Sequence, residues 1–273
     1  MEKTILITGA SRGFGKLWAR TFLKRGDRVA ATARKLSDLD DLVEEFGELF
    51  TPIQLDVNDR TATFKAVKYA GSSLGTIDVL INNAGFGLFG AIEEASEGEV
   101  RQQFETNVFG LLWVTQAILP IMRDQGYGHI VQLSSALGLT ALPTLGIYSA
   151  SKFAVEGLSE ALSAEVSGFG IKVTLLEPNG FATDWAGASS IQSKPMKEYE
   201  LVRSDVQENA KPTDYGEPLA TAPAILKLID SENPPLRLFL GNMAYPWIRY
   251  VYENRLAAWE DWKEISAAAQ GTV

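Results

Sequence analysis

The sequence predicts an α/β fold: a doubly wound parallel sheet of about seven strands, in one domain spanning residues 1–273. Three observations predict it. Short runs rich in Val, Ile and Leu alternate with helix-length segments along most of the chain, as expected of strands buried on both faces. A glycine-rich turn follows the first apolar run directly. No repeat or low-complexity linker divides the 273 residues, a length that suits one large domain.

The elements follow in order. Lys3–Thr8 (KTILIT) reads as the first strand, and Gly13–Arg25 has helical spacing and stops at Gly26. Arg28–Ala33, Leu49–Leu55 and Asp78–Asn82 read as the next three strands, with helices near Ser37–Phe46 and Arg60–Ser72 between them. Ser96 and Glu99 have the spacing of a capping box before a long helix reaching about Asp124. His129–Ser134 is the fifth strand, Ile147–Ser167 a helix, Ile171–Glu177 the sixth strand and Leu236–Leu240 a candidate seventh. Two segments fall outside this alternation. Residues 186–211 are rich in Ser, Gln, Lys and Glu. Residues 242–268 form an aromatic-rich extension with apolar residues at three- and four-residue intervals, the pattern of an amphipathic helix. Its aromatics are expected to pack on the domain or on a partner subunit.

Composition narrows the chemistry. There is no cysteine, which removes disulfides, thiol catalysis and Cys-based zinc sites. The single histidine, His129, cannot build a multi-His metal site, and its place at a strand entrance suggests a structural role. No metal is expected. A net charge of −9 without a basic block argues against nucleic-acid binding. No segment reads as a signal peptide, and the longest uncharged stretch, 129–151, is too often interrupted by polar residues, Gly and Pro to span a membrane. The expectation is a cytoplasmic protein.

After the first strand comes TGASRGFG, with Gly9, Ser11, Arg12, Gly13, Phe14 and Gly15. A glycine-rich passage from strand to helix lets backbone approach a pyrophosphate, and the helix N-terminus adds N–H donors. The second strand ends at Arg34. An acid at that place would bind a ribose 2′-hydroxyl, whereas arginine suits a 2′-phosphate. Arg34 together with Arg12 therefore favours NADP over NAD. Further along, Tyr148 and Lys152 are four residues apart, on one face of a helix. Free tyrosine and lysine titrate near ~10 and ~10.4, so both are protonated and idle at neutral pH in isolation.

Together these motifs make the sequence resemble the short-chain dehydrogenase/reductase family over roughly Lys3 to Asp184. The signs are TGASRGFG at 8–15, Asp56-Val57, NNAG at Asn82–Gly85, Asn107, Ser134-Ser135 and Tyr148-x-x-x-Lys152, all in the family's order. The resemblance implies a Rossmann fold and a nicotinamide cofactor. It makes Tyr148 the group that exchanges a proton with the substrate oxygen, and Lys152 the ammonium that lowers the phenol pKa and holds the nicotinamide ribose. It makes Ser135 the holder of the substrate oxygen, Ser134 its structural neighbour, and Asn107 the support of a proton path to the lysine. Asp56 and Val57 would lie near the adenine, and Asn83, Ala84 and Gly85 along the ribose and sheet edge. The Phe181 backbone and Thr183 would face the carboxamide, with Pro178 and Asn179 also at the cofactor. Asn179 stands where the family usually has glycine; asparagine tolerates left-handed backbone, which would preserve the turn.

The function implied is an NADPH-dependent carbonyl reductase, reversible as an alcohol dehydrogenase. Its substrate would be an uncharged, fairly apolar carbonyl or alcohol. Sequence neighbourhood suggests walls from Leu137, Leu142, Leu145 and Trp185, with Ser135 on the oxygen and 186–211 as a lid. An uncharged face over 106–122 would serve a homo-oligomer, dimer or tetramer, or be ordinary core. Two rivals stay open: an epimerase or dehydratase on the same cofactor, and an NADP-sensing regulator without turnover. Cofactor consumption with a panel of ketones separates them.

Overall fold

Strand β1 (Thr4–Ile7) is short because it is fully committed: Ile5 and Ile7 point to one face of the sheet and Leu6 to the other. In the computed structural model, which describes residues 2–187, 189–209 and 215–271, that alternation builds two cores. Helix α1 (Gly13–Arg25) covers the first face with Trp18 and Phe22. It leads to β2 (Arg28–Ala33), α2 (Asp40–Phe46), β3 (Phe50–Gln54) and α3 (Arg60–Leu74). Strand β4 (Val79–Asn82) follows, then a two-residue strand β5 (Leu88–Phe89) and helix α4 (Glu97–Phe104). A π-helical turn over Glu105–Gly110 joins α4 to α5 (Leu111–Gln125). The rest is β6 (Gly128–Leu133), α6 (Gly146–Val166), β7 (Ile171–Pro178), β8 (Ile191–Gln192), α7 (Glu200–Asn209), α8 (Ala222–Asp230), β9 (Arg237–Leu240), α9 (Ala244–Asp261) and α10 (Lys263–Ala268).

Seven strands form one sheet in the order β3-β2-β1-β4-β6-β7-β9, all parallel. The order reverses between β1 and β4, and loops leaving neighbouring strand ends diverge there to open a crevice. On the second face Leu6, Leu80 and Ile130 meet Val67 and Ala70 of α3 and Ile118 and Met122 of α5. All seven expected strands are present.

Other expectations are modified. The long helix from Ser96 is α4, a π turn and α5, so its register shifts at Asn107. Helix α8, which packs Ile225, Leu228 and Ile229 into the first core, was not foreseen in its short, Pro-containing segment. Nor was the parallel pairing of β5 with β8. Asn179 is not left-handed: Thr144 is the one non-glycine residue with positive φ among those described. Asn179 N–H instead continues the sheet by donating to Leu240 O at 3.0 Å. Gly241 opposite has φ +94, and a Cβ there would lie 1.8 Å from Asn179 Oδ1. In α9, Ala244 and Ile248 are buried, Trp247 packs against the domain and Tyr245 meets Phe239 at 6.2 Å, as expected, whereas Tyr250, Trp259 and, beyond α9, Trp262 are exposed on this chain. Of 186–211, residues 188, 210 and 211 lie outside those described. No helix among the described residues is long and apolar enough to cross a membrane.

The capping box has a measurable consequence. Ser96 Oγ accepts from Glu99 N–H at 3.3 Å, and Ser96 N–H donates to Glu99 Oε2 at 2.8 Å. Ser96→Ala is expected to lower stability by about 1 kcal/mol, read as a lower denaturant midpoint at unchanged slope. An unmoved midpoint would mean that solvent caps α4 equally well.

Candidate active site

Each expected motif sits just beyond the C-terminal end of a sheet strand or on a helix packed against one. After β1 the chain turns at Gly9 (φ +69), where a Cβ would lie 2.7 Å from Ala84 Cα. Asn83 pins this turn, its Nδ2 donating to Thr8 O at 3.0 Å and Gly9 O at 2.8 Å. Thr8 Oγ1 in turn accepts from the N–H groups of Asn83 and Ala84. Gly13 (φ +58) faces open space, whereas a Cβ on Gly15 would lie 2.5 Å from both Asn83 Nδ2 and Gly9 O. The first leaves room for a ligand at the start of α1, and the second lets helix and strand close together. Below this turn Phe14 stacks on Trp18 at 4.9 Å and meets the edge of Phe181 at 5.2 Å.

One cleft of about 1430 Å³ runs from this turn across the strand ends. Gly9, Ser11, Arg12, Gly13, Phe14, Arg34, Asp56, Val57, Asn83, Ala84, Gly85, Pro178, Asn179, Phe181 and Thr183 all line it, as do Ser135, Tyr148 and Lys152. Of the residues singled out from sequence, Gly15 and Asn107 do not. Arg34 is exposed at the rim and makes no ion pair among the described residues. Arg12 reaches across to Asp184 at 3.2 Å, with both side chains about half exposed.

The floor is assembled by β6 and α6. Ser135 follows β6 and begins a 3-10 turn over Ala136–Gly138, its Oγ accepting from Leu137 N–H at 3.1 Å. Tyr148, 5% exposed, packs with Leu137 and Leu145. Burial pushes its phenol well above the ordinary range, and the hydrogen bond with Ser135 opposes that rise without cancelling it. Burial by itself thus favours the protonated phenol, against the downward pull expected of Lys152. Lys152 lies one turn on, its Nζ 5.8 Å from the Tyr148 ring centre and donating to Leu133 O at 2.7 Å. Burial lowers its pKa to about 8, with the charge of Glu156 pulling the other way. Asn107, inside the π turn, stands behind them. Its Nδ2 donates to Phe86 O and Ser151 Oγ, and its Oδ1 accepts from Phe86 N–H.

Leu137, Leu142, Leu145 and Trp185 all reach the cleft. Trp185 meets Tyr148 at 4.9 Å, edge to face, and Phe89 at 5.3 Å. Sequence reasoning missed Phe89, Met243 and Trp247, which complete the apolar wall. The regular spacing around Trp247 carried the only signal, and it was read as packing. His129 lies outside the cleft, buried, with Nε2 2.9 Å from Thr174 Oγ1 and its pKa lowered by burial to about 4.

Comparison with known proteins agrees with this arrangement. The family model described as short chain dehydrogenase matches residues 3–194. An oxidoreductase of Botryotinia fuckeliana (Oxidoreductase BOA17) is 40% identical over 98% of this chain and 100% of its own. A 3-ketodihydrosphingosine reductase of Bacteroides thetaiotaomicron is 38% identical over 87% of each chain. A solved short-chain dehydrogenase of Streptomyces avermitilis superposes with a TM-score of 0.91 at 36% identity, covering 98% of both chains. Other solved neighbours hold NADP, NAD or NADH. A dinucleotide-type turn, a crevice at the strand-order reversal and a match over most of the length have one common reading: this chain belongs to the short-chain dehydrogenase family of oxidoreductases.

Proposed function

We propose that the chain is an NADPH-dependent reductase of apolar ketones or aldehydes, working in reverse as an alcohol dehydrogenase. One observation carries this: the Tyr148 phenol, the Ser135 hydroxyl and the Lys152 ammonium converge on the floor of the cleft that begins at the glycine-rich turn. The lining suits a dinucleotide, because the open space at Gly13 and the close approach at Gly9 form a backbone cradle and Arg34, at its rim, makes no ion pair among the described residues. A bound nicotinamide supplies the hydride. Everything else falls to the chain. Ser135 and Tyr148 hold the carbonyl oxygen by hydrogen bonds, which strengthen as negative charge grows there. Tyr148, kept protonated by burial, gives that oxygen its proton. Lys152 keeps a positive charge beside the phenol and favours the phenolate left behind. Trp185, Phe89 and Leu145 shape an apolar wall around the oxygen site, and the described part of 186–211 covers it as a lid. That a relative of this length is a reductase of a ketone supports the direction. Incubation with NADPH and a panel of ketones of increasing chain length tests the reading: cofactor oxidation supports it, and none with any carbonyl would overturn it.

The lysine gives a pH signature. Lys152 carries its charge below about 8 and loses it above. Affinity for NADPH is therefore expected to fall as pH rises through about 8, and Lys152→Met should bind weakly without that dependence. A wild-type affinity that stays flat across this range would remove the lysine charge from cofactor binding.

A further inference from the structure

Behind the catalytic floor lies a second ionisable cluster that the proposed reaction does not use. Glu156 follows Lys152 by one turn of α6, and Glu177 is the last residue but one of β7. Glu177 is 0% exposed and Glu156 is buried. One atom, Arg237 Nε on β9, lies 3.1 Å from Glu156 Oε2 and 3.4 Å from Glu177 Oε1. The same guanidinium gives its Nη2 to the exposed Glu160 at 2.7 Å. The two buried carboxyls, held against one guanidinium nitrogen, also interact with each other, yet among the described residues Glu156 Oε1 and both oxygens of Glu177 have no hydrogen-bond donor. Two carboxylates have only acceptors to offer, so this contact is repulsive unless a proton sits between them.

The surroundings are closed. Ser134, next to Ser135, has a buried Oγ beside Glu156, and a Cβ on Gly138 would lie 2.6 Å from Ser134 Oγ and 2.9 Å from Glu156 Cγ. The charged groups around the pair are Lys152 and Glu160 on α6 and Arg237 on β9. From α9, Arg255 goes to Leu139 O. One guanidinium, already shared with Glu160, stands against two buried carboxyls.

We propose that Glu156 and Glu177 share one proton, and that this pair is a positioning device that sets the charge of Lys152. Resting on the reading of Lys152 as the cofactor lysine, it works as follows. With the proton shared, the pair carries one negative charge one turn from Lys152. When the pair gives the proton up it carries two, and the lysine is held charged to higher pH than burial alone allows. Burial, reinforced by the Glu156 charge, pushes Glu177 up to about 8, where Lys152 itself titrates. The proton moves between the pair and solvent, and no bond to carbon changes.

The test uses Glu177→Gln and Glu156→Gln, each retaining shape and a hydrogen-bond donor. Thermal midpoint against pH reads the shared proton. A folded-state pKa raised above the unfolded value stabilises at low pH, and that stability is lost as pH climbs to about 8. Relative to wild type, Glu177→Gln should therefore gain stability from about pH 5 to about pH 9. Contributions that the substitution leaves unchanged cancel in the difference, and the shifted Lys152 adds to it only close to its own titration near pH 8, so the interval from about pH 5 to about pH 7 reads the pair alone. NADPH titration by fluorescence, with no substrate, reads the lysine. The alkaline fall in affinity should move to lower pH by roughly 0.5–1 unit in Glu177→Gln and further in Glu156→Gln. Parallel midpoint curves would refute the shared proton, and an unmoved alkaline fall would refute its coupling to Lys152. A wild type that binds no nicotinamide nucleotide at any pH would instead sink the cofactor reading, while the midpoint curves still decide the proton.

Discussion

Tyr148→Phe is expected to lower carbonyl reduction by about 10²–10⁴-fold, the usual worth of a positioned general acid, while NADPH still binds. The change removes one oxygen from a ring that packs with Leu137, Leu145 and Trp185, so the apolar contacts survive. Ser135 loses its phenol partner but keeps the bond from Leu137 N–H, so the serine stays in place. What goes is the phenol proton, the one that the proposed reaction transfers to the substrate oxygen. Lys152 cannot replace it, because its ammonium donates to Leu133 O and lies 5.8 Å from the ring centre. Steady-state reduction and NADPH binding measured on the same preparation separate the roles. Turnover near that of wild type would end the assignment of Tyr148 as proton donor.

Arg34→Asp is expected to collapse or invert the preference for NADPH over NADH. A charge-assisted hydrogen bond to a phosphate is worth about 1.5–3 kcal/mol, or roughly 10–150-fold, before the repulsion of a new carboxylate is added. The structure divides the two arginines named from sequence. Arg34 stands unpaired at the cleft rim among the described residues, whereas Arg12 already has Asp184 for a partner. Most of the discrimination should therefore rest on Arg34. The site is remote from the catalytic floor, so kcat at saturating cofactor should change little. The quantities to compare are kcat/KM for both cofactors in wild type and variant. A wild type that favours NADH, or a variant with the wild-type ratio, would show Arg34 to be a solvated surface residue.

The sequence was most legible where chemistry is local. A strand, a glycine-rich turn and a helix are contiguous in the chain, so Gly9 through Phe14 could be placed at once, and a helical spacing set Tyr148 beside Lys152. Ser135 and Asp56 came from the order of motifs, and that order works because every parallel strand delivers its following loop to one sheet edge. What stayed hidden depends on folding back. Met243 and Trp247 arrive from the far end of the chain, and their spacing says only that one side of a helix is apolar. The Glu156–Glu177–Arg237 cluster joins a helix and two strands, and no local pattern announces it. Asn179, in the place of a family glycine, was expected to take a left-handed turn, but positive φ is found across the sheet at Gly241 instead.

The small β5–β8 pair bears on how such a cleft changes over evolutionary time. It is closed by Ile191 N–H to Gly87 O at 2.9 Å and Ser193 N–H to Phe89 O at 2.8 Å, bonds that any residue but proline can make. Farther on, the buried Glu94 takes Met196 N–H and the guanidinium of Arg203. The outer wall is thus moored by main chain, by the Glu94–Arg203 ion pair and by the hydroxyls of Ser193 on Glu99 and Tyr199 on Glu93, while Ile191, Val202 and Val206 merely present their side chains to the interior. Substitutions at those three positions can re-contour the chamber without loosening its attachment. A lineage can thereby change what the cleft admits by drift at a few liner positions, leaving Ser135, Tyr148 and Lys152 untouched.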